Sequence, residues 1–229
     1  ATYGTLDEKE KLGTEELAIP GFTKEGRGDL SFTIDATRLG MLGGAVNYLF
    51  DYPYGCLEQQ SSAVLPLVIF GDYIDVFGLD SKIADIKKCV TTYTKSWSKY
   101  QLENGGFPYW PGGSYPSLYV SIRMANIYNL ALERGYTAAD LGYNNKKLLD
   151  YIEHEIRDAD RDPARASYND YIKACAALVL AKSNPPYALI LLDELYRHYS
   201  DLNLSTKALL GLGYLSIPGY ASKVKTLAD

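Results

Sequence analysis

Asp51-Tyr52-Pro53-Tyr54-Gly55-Cys56-Leu57-Glu58-Gln59-Gln60 carries the chain from a loop into a helix. Pro53 and Gly55 punctuate the loop, and Leu57, Val64, Leu67, Val68 and Tyr73 then keep the 3.6-residue period of a helix that starts near Cys56. Pro66 falls inside that run and is expected to kink it. Residues three apart on a first turn share a face, so the Cys56 sulfur is expected against the Gln59 carboxamide. Unpaired N–H groups and the positive dipole end of a helix favour a thiolate there. Such a thiolate is set to attack the Gln59 carbonyl carbon, expel ammonia and leave an internal thioester. The alternative is a cysteine that is merely structural, since a cysteine with a glutamine three residues on is a common chance pairing.

The helical period extends outward from this stretch in both directions. Leu39, Leu42, Val46, Leu49 and Phe50 describe a helix that ends before Pro53. Helices are predicted near 37–50, 56–77, 81–102, 117–134, 145–158, 167–183, 186–199 and 204–215, with a short one near 218–227. They pair across short Gly, Asn or Pro breaks into a loose repeat of helical hairpins. Ala- and Leu-rich members, such as those ending at Asn129–Gly135 and Leu178–Asn184, suit an inner layer, and the more charged members suit an outer one. Breaks this frequent exclude a coiled coil. Upstream, residues 1–28 are polar and weakly periodic, and residues 29–35 alternate polar with apolar as a strand does. The predicted organisation is therefore a linker and short strand over 1–36, belonging to a preceding domain, and an all-α domain over 37–229.

Composition bounds the function. With 229 residues and 47% hydrophobic content the chain can bury a sizeable core, and a net charge of −5 argues against nucleic-acid binding. No apolar run reaches the length of a membrane span, and the N-terminus lacks a basic-then-apolar signal sequence. A piece of a longer secreted chain is the reading that fits. Three cysteines make no disulfide framework, and Cys89 and Cys175 fall in helical patterns as small buried hydrophobes. Neither has metal-ligand spacing, so no metal or cofactor is expected. His154 and His198 lie among Glu and Arg on amphipathic helices and are expected on the surface.

Tyr54-Gly55-Cys56-Leu57-Glu58-Gln59, preceded by Tyr52-Pro53, resembles the thioester motif of the alpha-2-macroglobulin and complement family, above all its bacterial members. Animal members usually have Gly between Cys and Glu, and Asn after the Gln. Leu57 and Gln60 depart from that pattern at positions that form no bond. The resemblance implies that Cys56 supplies the sulfur and Gln59 the acyl carbon, with Tyr54, Gly55 and Glu58 completing the motif. It also implies an α/α toroid of helical hairpins, of which this chain would lack the last one or two. The function implied is single-use acyl transfer rather than enzymatic turnover. Target proteases would be trapped through surface lysine amines, with neighbouring domains of the parent chain as further partners. The location implied is the periplasm or cell envelope, by way of a lipid anchor outside these residues.

A second signal is Gln101-Leu102-Glu103-Asn104-Gly105-Gly106-Phe107-Pro108-Tyr109-Trp110. It reads as a helix C-terminus stopped by glycines that accept positive φ, with an aromatic folded back over the hairpin. It resembles the Gln-to-aromatic loop of α/α toroids such as terpene cyclases, and the Gly-Gly-Phe loop of bacterial alpha-2-macroglobulins. An aromatic sugar platform is the other reading. It would belong to an α/α-toroid carbohydrate-active enzyme with two converging carboxylates. A helical-repeat binding scaffold without chemistry is the third. In complement components that prefer hydroxyl groups, a histidine in the following segment relays the acyl group. Trp110–Tyr119 contains no histidine, which implies direct capture of amines. Tyr109, Trp110, Tyr115 and Tyr119 are candidates for an apolar shield around the bond, with ordinary packing as the alternative. Without neighbouring domains, the first turn of the Cys56 helix is expected to stand open to water.

Overall fold

In the computed structural model, residues 12–14, 16, 18, 42–51, 55–73, 85–161 and 169–228 are described. The strand predicted at 29–35 lies outside them, as do Tyr52, Pro53 and Tyr54. The chain divides into two compact units, Ala1–Thr37 and Arg38–Asp229. The described residues of the first are in neither helix nor strand.

The second unit is mainly helical, with a long non-helical segment over 101–117. Its elements are α1 (Gly43–Asp51), α2 (Leu57–Phe70), α3 (Ile86–Trp97), α4 (Leu118–Glu133), α5 (Ala138–Leu141), α6 (Asn145–Arg161), α7 (Asp170–Leu180), α8 (Pro185–Tyr196), α9 (Leu204–Leu215) and α10 (Ala221–Ala228). Short polar side chains start most of them. Asp85, Ser117, Asn169, Asn184 and Asn203 each accept a hydrogen bond from the backbone N–H three residues on, satisfying a donor that has no partner within the helix. At α2 the same position is held by Cys56. No strand occurs among the described residues, and the β-type pairing seen is an isolated antiparallel bridge between Pro108 and Pro116. The fold is all-α, as the periodicity predicts.

Packing sets a run of four helices with others laid against it. In the run, α2, α4, α7 and α9 follow each other as successive neighbours; against it, α3 lies on α2, α6 on α4 and α7, α8 on α7 and α9, and α10 on α9. Composition fits part of this arrangement. Helix α4 buries Val120, Ile122, Met124, Ala125 and Ile127, and α7 presents Ala174, Ala176 and Ala177, small residues that admit close neighbours on both sides. The charged α6 instead buries one stripe, Leu148, Ile152 and Ile156, and turns His154 outward. Between α9 and α8 the approach is so close that a Cβ at Gly213 would meet Leu192 at 2.6 Å.

Three expectations need correction. Helix α5 has no counterpart in the predicted set, because four residues are too few to show a period. It exists through a capping box between Thr137 and Asp140 and stops at Gly142, whose φ is 82°. Helix α3 gives way to a 3₁₀ turn at Ser98–Tyr100 instead of continuing to 102. Cys89 and Cys175 pack against the core but are half-buried rather than enclosed, and burial raises the pKa of both thiols.

Candidate functional site

Cys56 has extended backbone (φ −68°, ψ 155°) and caps α2 with its sulfur, which accepts the Gln59 N–H at 3.5 Å. Its carbonyl accepts the Gln60 N–H at 3.0 Å, so the first turn closes immediately behind it. The three-residue spacing thus brings Cys56 and Gln59 onto one turn. Gln59 Oε1 is buried and has no hydrogen-bond partner among the described residues. A buried carbonyl left in that state costs about 1–3 kcal/mol.

Cys56 itself is only 1% exposed. This overturns the expectation of a first turn open to water, and the cause is the segment that follows α3. Tyr109 O accepts the Leu57 N–H at 3.0 Å, which lays the 101–117 segment across the start of α2. The Tyr109 side chain lies near Cys56, Glu58 and Tyr119. Partial desolvation, followed by those three neighbours, raises its pKa, so at neutral pH it remains a donor. Trp110 pairs with the Tyr109 ring at 6.1 Å and is 56% exposed, whereas Tyr115 is 88% exposed. Of the proposed shielding residues that are described, Tyr109 is the one whose backbone bonds to the start of α2, and it is 42% exposed. Tyr54 lies outside the described residues.

The covering segment is pinned from several sides. Gln101 donates to Gly105 O and to Asn144 O, both at 2.9 Å, and accepts the Asn144 N–H at 2.9 Å. Gly105 has φ 94°, and a Cβ there would sit 2.1 Å from Lys147 O, so two separate constraints demand glycine. Phe107 is fully buried, edge-on to Tyr143 at 5.4 Å. Its N–H reaches Ser121 Oγ at 2.9 Å, and its carbonyl accepts the Ser117 N–H at 2.7 Å.

Glu58 belongs to a polar cluster joining α2 to α4. Its Oε1 accepts the Ser62 hydroxyl at 3.0 Å and lies 3.9 Å from Arg123. The Arg123 guanidinium donates to Ser61 at 3.0 Å, to Ser62 at 2.6 Å and to Tyr119 at 3.5 Å. Gln60 works in another direction, donating to Gly55 O at 2.7 Å and accepting the indole N–H of the fully buried Trp97 at 2.8 Å.

The sequence matches no protein-family model. Alpha-2-macroglobulin of Escherichia coli (strain K12) is 29% identical over 163 residues, which is 66% of this chain and 9% of that protein. A crystal structure of native E. coli alpha-2-macroglobulin, spanning domain MG7 to the C-terminus, superposes with a TM-score of 0.60 at 23% identity. It covers 81% of this chain and 30% of that one. This chain resembles bacterial alpha-2-macroglobulin in sequence and in fold. A cryo-EM reconstruction of the native conformation of the E. coli protein agrees, with a TM-score of 0.58 over 81% of this chain and 12% of that one. The chain thus spans less than a tenth of the alpha-2-macroglobulin it matches in sequence.

Read beside alpha-2-macroglobulin, the other candidates settle by position. His154 is 68% exposed and pairs with Asp158 at 3.7 Å, and His198 lies 3.3 Å from Asp170; both belong to the surface, as predicted. No cluster of three metal-ligating side chains is present among the described residues, and no helix among them is long and apolar enough to cross a membrane. Sequence reasoning missed Arg123 and Trp97. Arginine amid the apolar run Leu118–Tyr128 was a usable signal for the first. Nothing local announces that Trp97 meets Gln60, 37 residues away.

Proposed function

We propose that this chain is the thioester-bearing part of a bacterial-type alpha-2-macroglobulin, a sector of an α/α toroid that captures amine nucleophiles through a Cys56–Gln59 bond. The supporting observation is the dry first turn of α2, where a buried sulfur and an unpartnered buried carboxamide oxygen lie three residues apart. The Cys56 sulfur adds to Gln59 Cδ, the C–N bond breaks, and ammonia leaves with the thiol proton. A thioester carbonyl is a weaker hydrogen-bond acceptor than an amide carbonyl, so a site that offers the oxygen no donor penalises the amide more than the thioester. A lysine amine of an attacking protease then takes the acyl group, and each site reacts once. Its setting is the bacterial envelope, as part of a longer, lipid-anchored chain.

The carbohydrate-active reading finds little support. A cleft lined by Leu102, Glu103, Asn104, Gly113 and Ser114 lies on the aromatic loop, and Glu103 is its sole carboxylate where glycoside hydrolysis calls for two. Intact mass spectrometry tests the proposal. The protein is expected to weigh one ammonia less than its sequence dictates, and methylamine is expected to add to residue 59 while freeing one thiol. An unaltered mass together with no methylamine uptake refutes it.

A further inference from the structure

Opening a thioester moves a charge onto a sulfur that water hardly reaches. When an amine has added to the residue-59 carbonyl carbon, the C–S bond breaks and its electron pair passes to Cys56 Sγ. The carbonyl re-forms as an amide, and the amine proton goes to solvent. Cys56 is 1% exposed, so the thiolate depends on donors that the protein supplies. The backbone N–H of Gln59, at 3.5 Å, is one of them. It belongs to the Glu58–Gln59 peptide, whose carbonyl oxygen accepts the Ser61 hydroxyl at 2.6 Å. Ser61 is fully buried and itself accepts the Nε–H of Arg123, from α4, at 3.0 Å. A serine that bonds the carbonyl three residues back on its own helix is ordinary. One that also accepts from a guanidinium on another helix ties a charge to that carbonyl.

Resting on the thioester reading, we infer that Arg123 is a positioning residue for the Cys56 sulfur, acting through Ser61 and the Glu58–Gln59 peptide. The guanidinium donates to the hydroxyl, the hydroxyl to the carbonyl oxygen, and the N–H of that same peptide to Sγ. Each donor in such a chain polarises the next, so the arginine charge strengthens the one bond that reaches the sulfur. Two further hydroxyl groups fix the plane of the guanidinium, Ser62 at 2.6 Å and Tyr119 at 3.5 Å. Ser62 in turn donates to Glu58 Oε1 at 3.0 Å. Residue 58 is therefore held by its peptide and by its carboxylate from a single arginine, which keeps the first turn of α2 at the angle where its N–H faces Sγ. In the intact thioester that N–H meets an uncharged sulfur and gains little. The gain appears as the C–S bond breaks, which is what accelerates a reaction.

The test is a double-mutant cycle of Ser61→Ala and Arg123→Gln, made in the full-length polypeptide. Intact mass reports the loss of ammonia, a chromogenic disulfide follows thiol release by methylamine, and urea midpoints report stability. Each single variant is expected to release thiol about threefold more slowly or worse, the scale of a modest strengthening of one hydrogen bond. The double variant is expected to be no slower than the slower single one, because either change breaks the same chain. A purely structural pair would shift the urea midpoints and leave the rate of the folded protein alone. Release from Ser61→Ala or from Arg123→Gln at the parent rate overturns the inference. So do effects that multiply in the double variant, which would mean that the arginine acts without the serine. Where Arg123→Gln fails to fold, Ser61→Ala, which loses a single oxygen, decides by itself. If the parent loses no ammonia, the thioester reading falls and takes the arginine's role with it, an outcome that the mass alone identifies.

Discussion

A sulfur stands at the head of α2 where α3, α4, α7, α8 and α9 carry an oxygen. Sulfur is the poorer cap, so Cys56→Ser is expected to leave the helix as stable as before or up to about 1 kcal/mol more so, while abolishing amine uptake. Urea unfolding and methylamine labelling separate the two effects. The glycines of the covering segment make a second prediction. Gly105→Ala meets both a positive φ and the Lys147 carbonyl, and is expected to cost more than about 3 kcal/mol. Gly112→Ala, with φ 81° and open space, is expected to cost only the roughly 1–2 kcal/mol of its backbone conformation. Denaturation midpoints of the two proteins check the order. At this scale the sequence was legible where the interacting residues are close along the chain, as Cys56 and Gln59 are. It was silent where they are not. Arg123 reaches Ser61 across 62 residues, and no local pattern encodes that meeting.

Between elements, the Gln60 side chain ties the start of α2 to the end of α3. Gln60→Leu removes the acceptor of the buried Trp97 indole and is expected to destabilise the chain by about 1–3 kcal/mol, readable in thermal unfolding and in tryptophan fluorescence. The Gln60 side chain is long enough to span both Gly55 and Trp97. The longer helices were legible because a buried stripe repeats every 3.6 residues, most clearly in α6, whose Leu148, Ile152 and Ile156 keep the interval of four. Helix α5 was not legible, since its signal is the chemistry of a cap rather than a period. The expected split into Ala- and Leu-rich and charged helices holds for α7 and α6 but not for α8, which is as apolar as α9. The path of the 101–117 segment over Cys56 could not be read, because it depends on Gln101 finding Asn144.

At the scale of the helical unit, α10 packs on α9 through Val224 and is tied to α8 by a lysine. Lys223 Nζ lies 2.5 Å from Asp193 and between 4.9 and 5.8 Å from the ring centroids of Tyr214, Tyr196 and Tyr220, and the Tyr214 hydroxyl donates to the same Asp193 oxygen at 2.6 Å. Partial burial works against the Asp193 carboxylate, yet hydrogen bonds from Lys223 and Tyr214 outweigh it and hold its pKa below the ordinary value. A carboxylate with a lowered folded pKa contributes stability above its unfolded value, near about 3.9, and loses it as the pH falls through the folded value. Protection of the α10 amides, after correction for the intrinsic pH dependence of exchange, is therefore expected to fall below about pH 4 in the parent, and to be low and without that step in Asp193→Asn.

The covering segment has a tip that is separable from its base. Pro108 pairs across to Pro116, and Ser117 bonds back to Phe107, so the loop is pinched shut before it reaches Gly112. Gly112 projects into open space. Residues grafted at that tip would extend into solvent without loosening the clamp beneath it. The pinch lets the tip of the loop vary in length and composition apart from the stability of the fold.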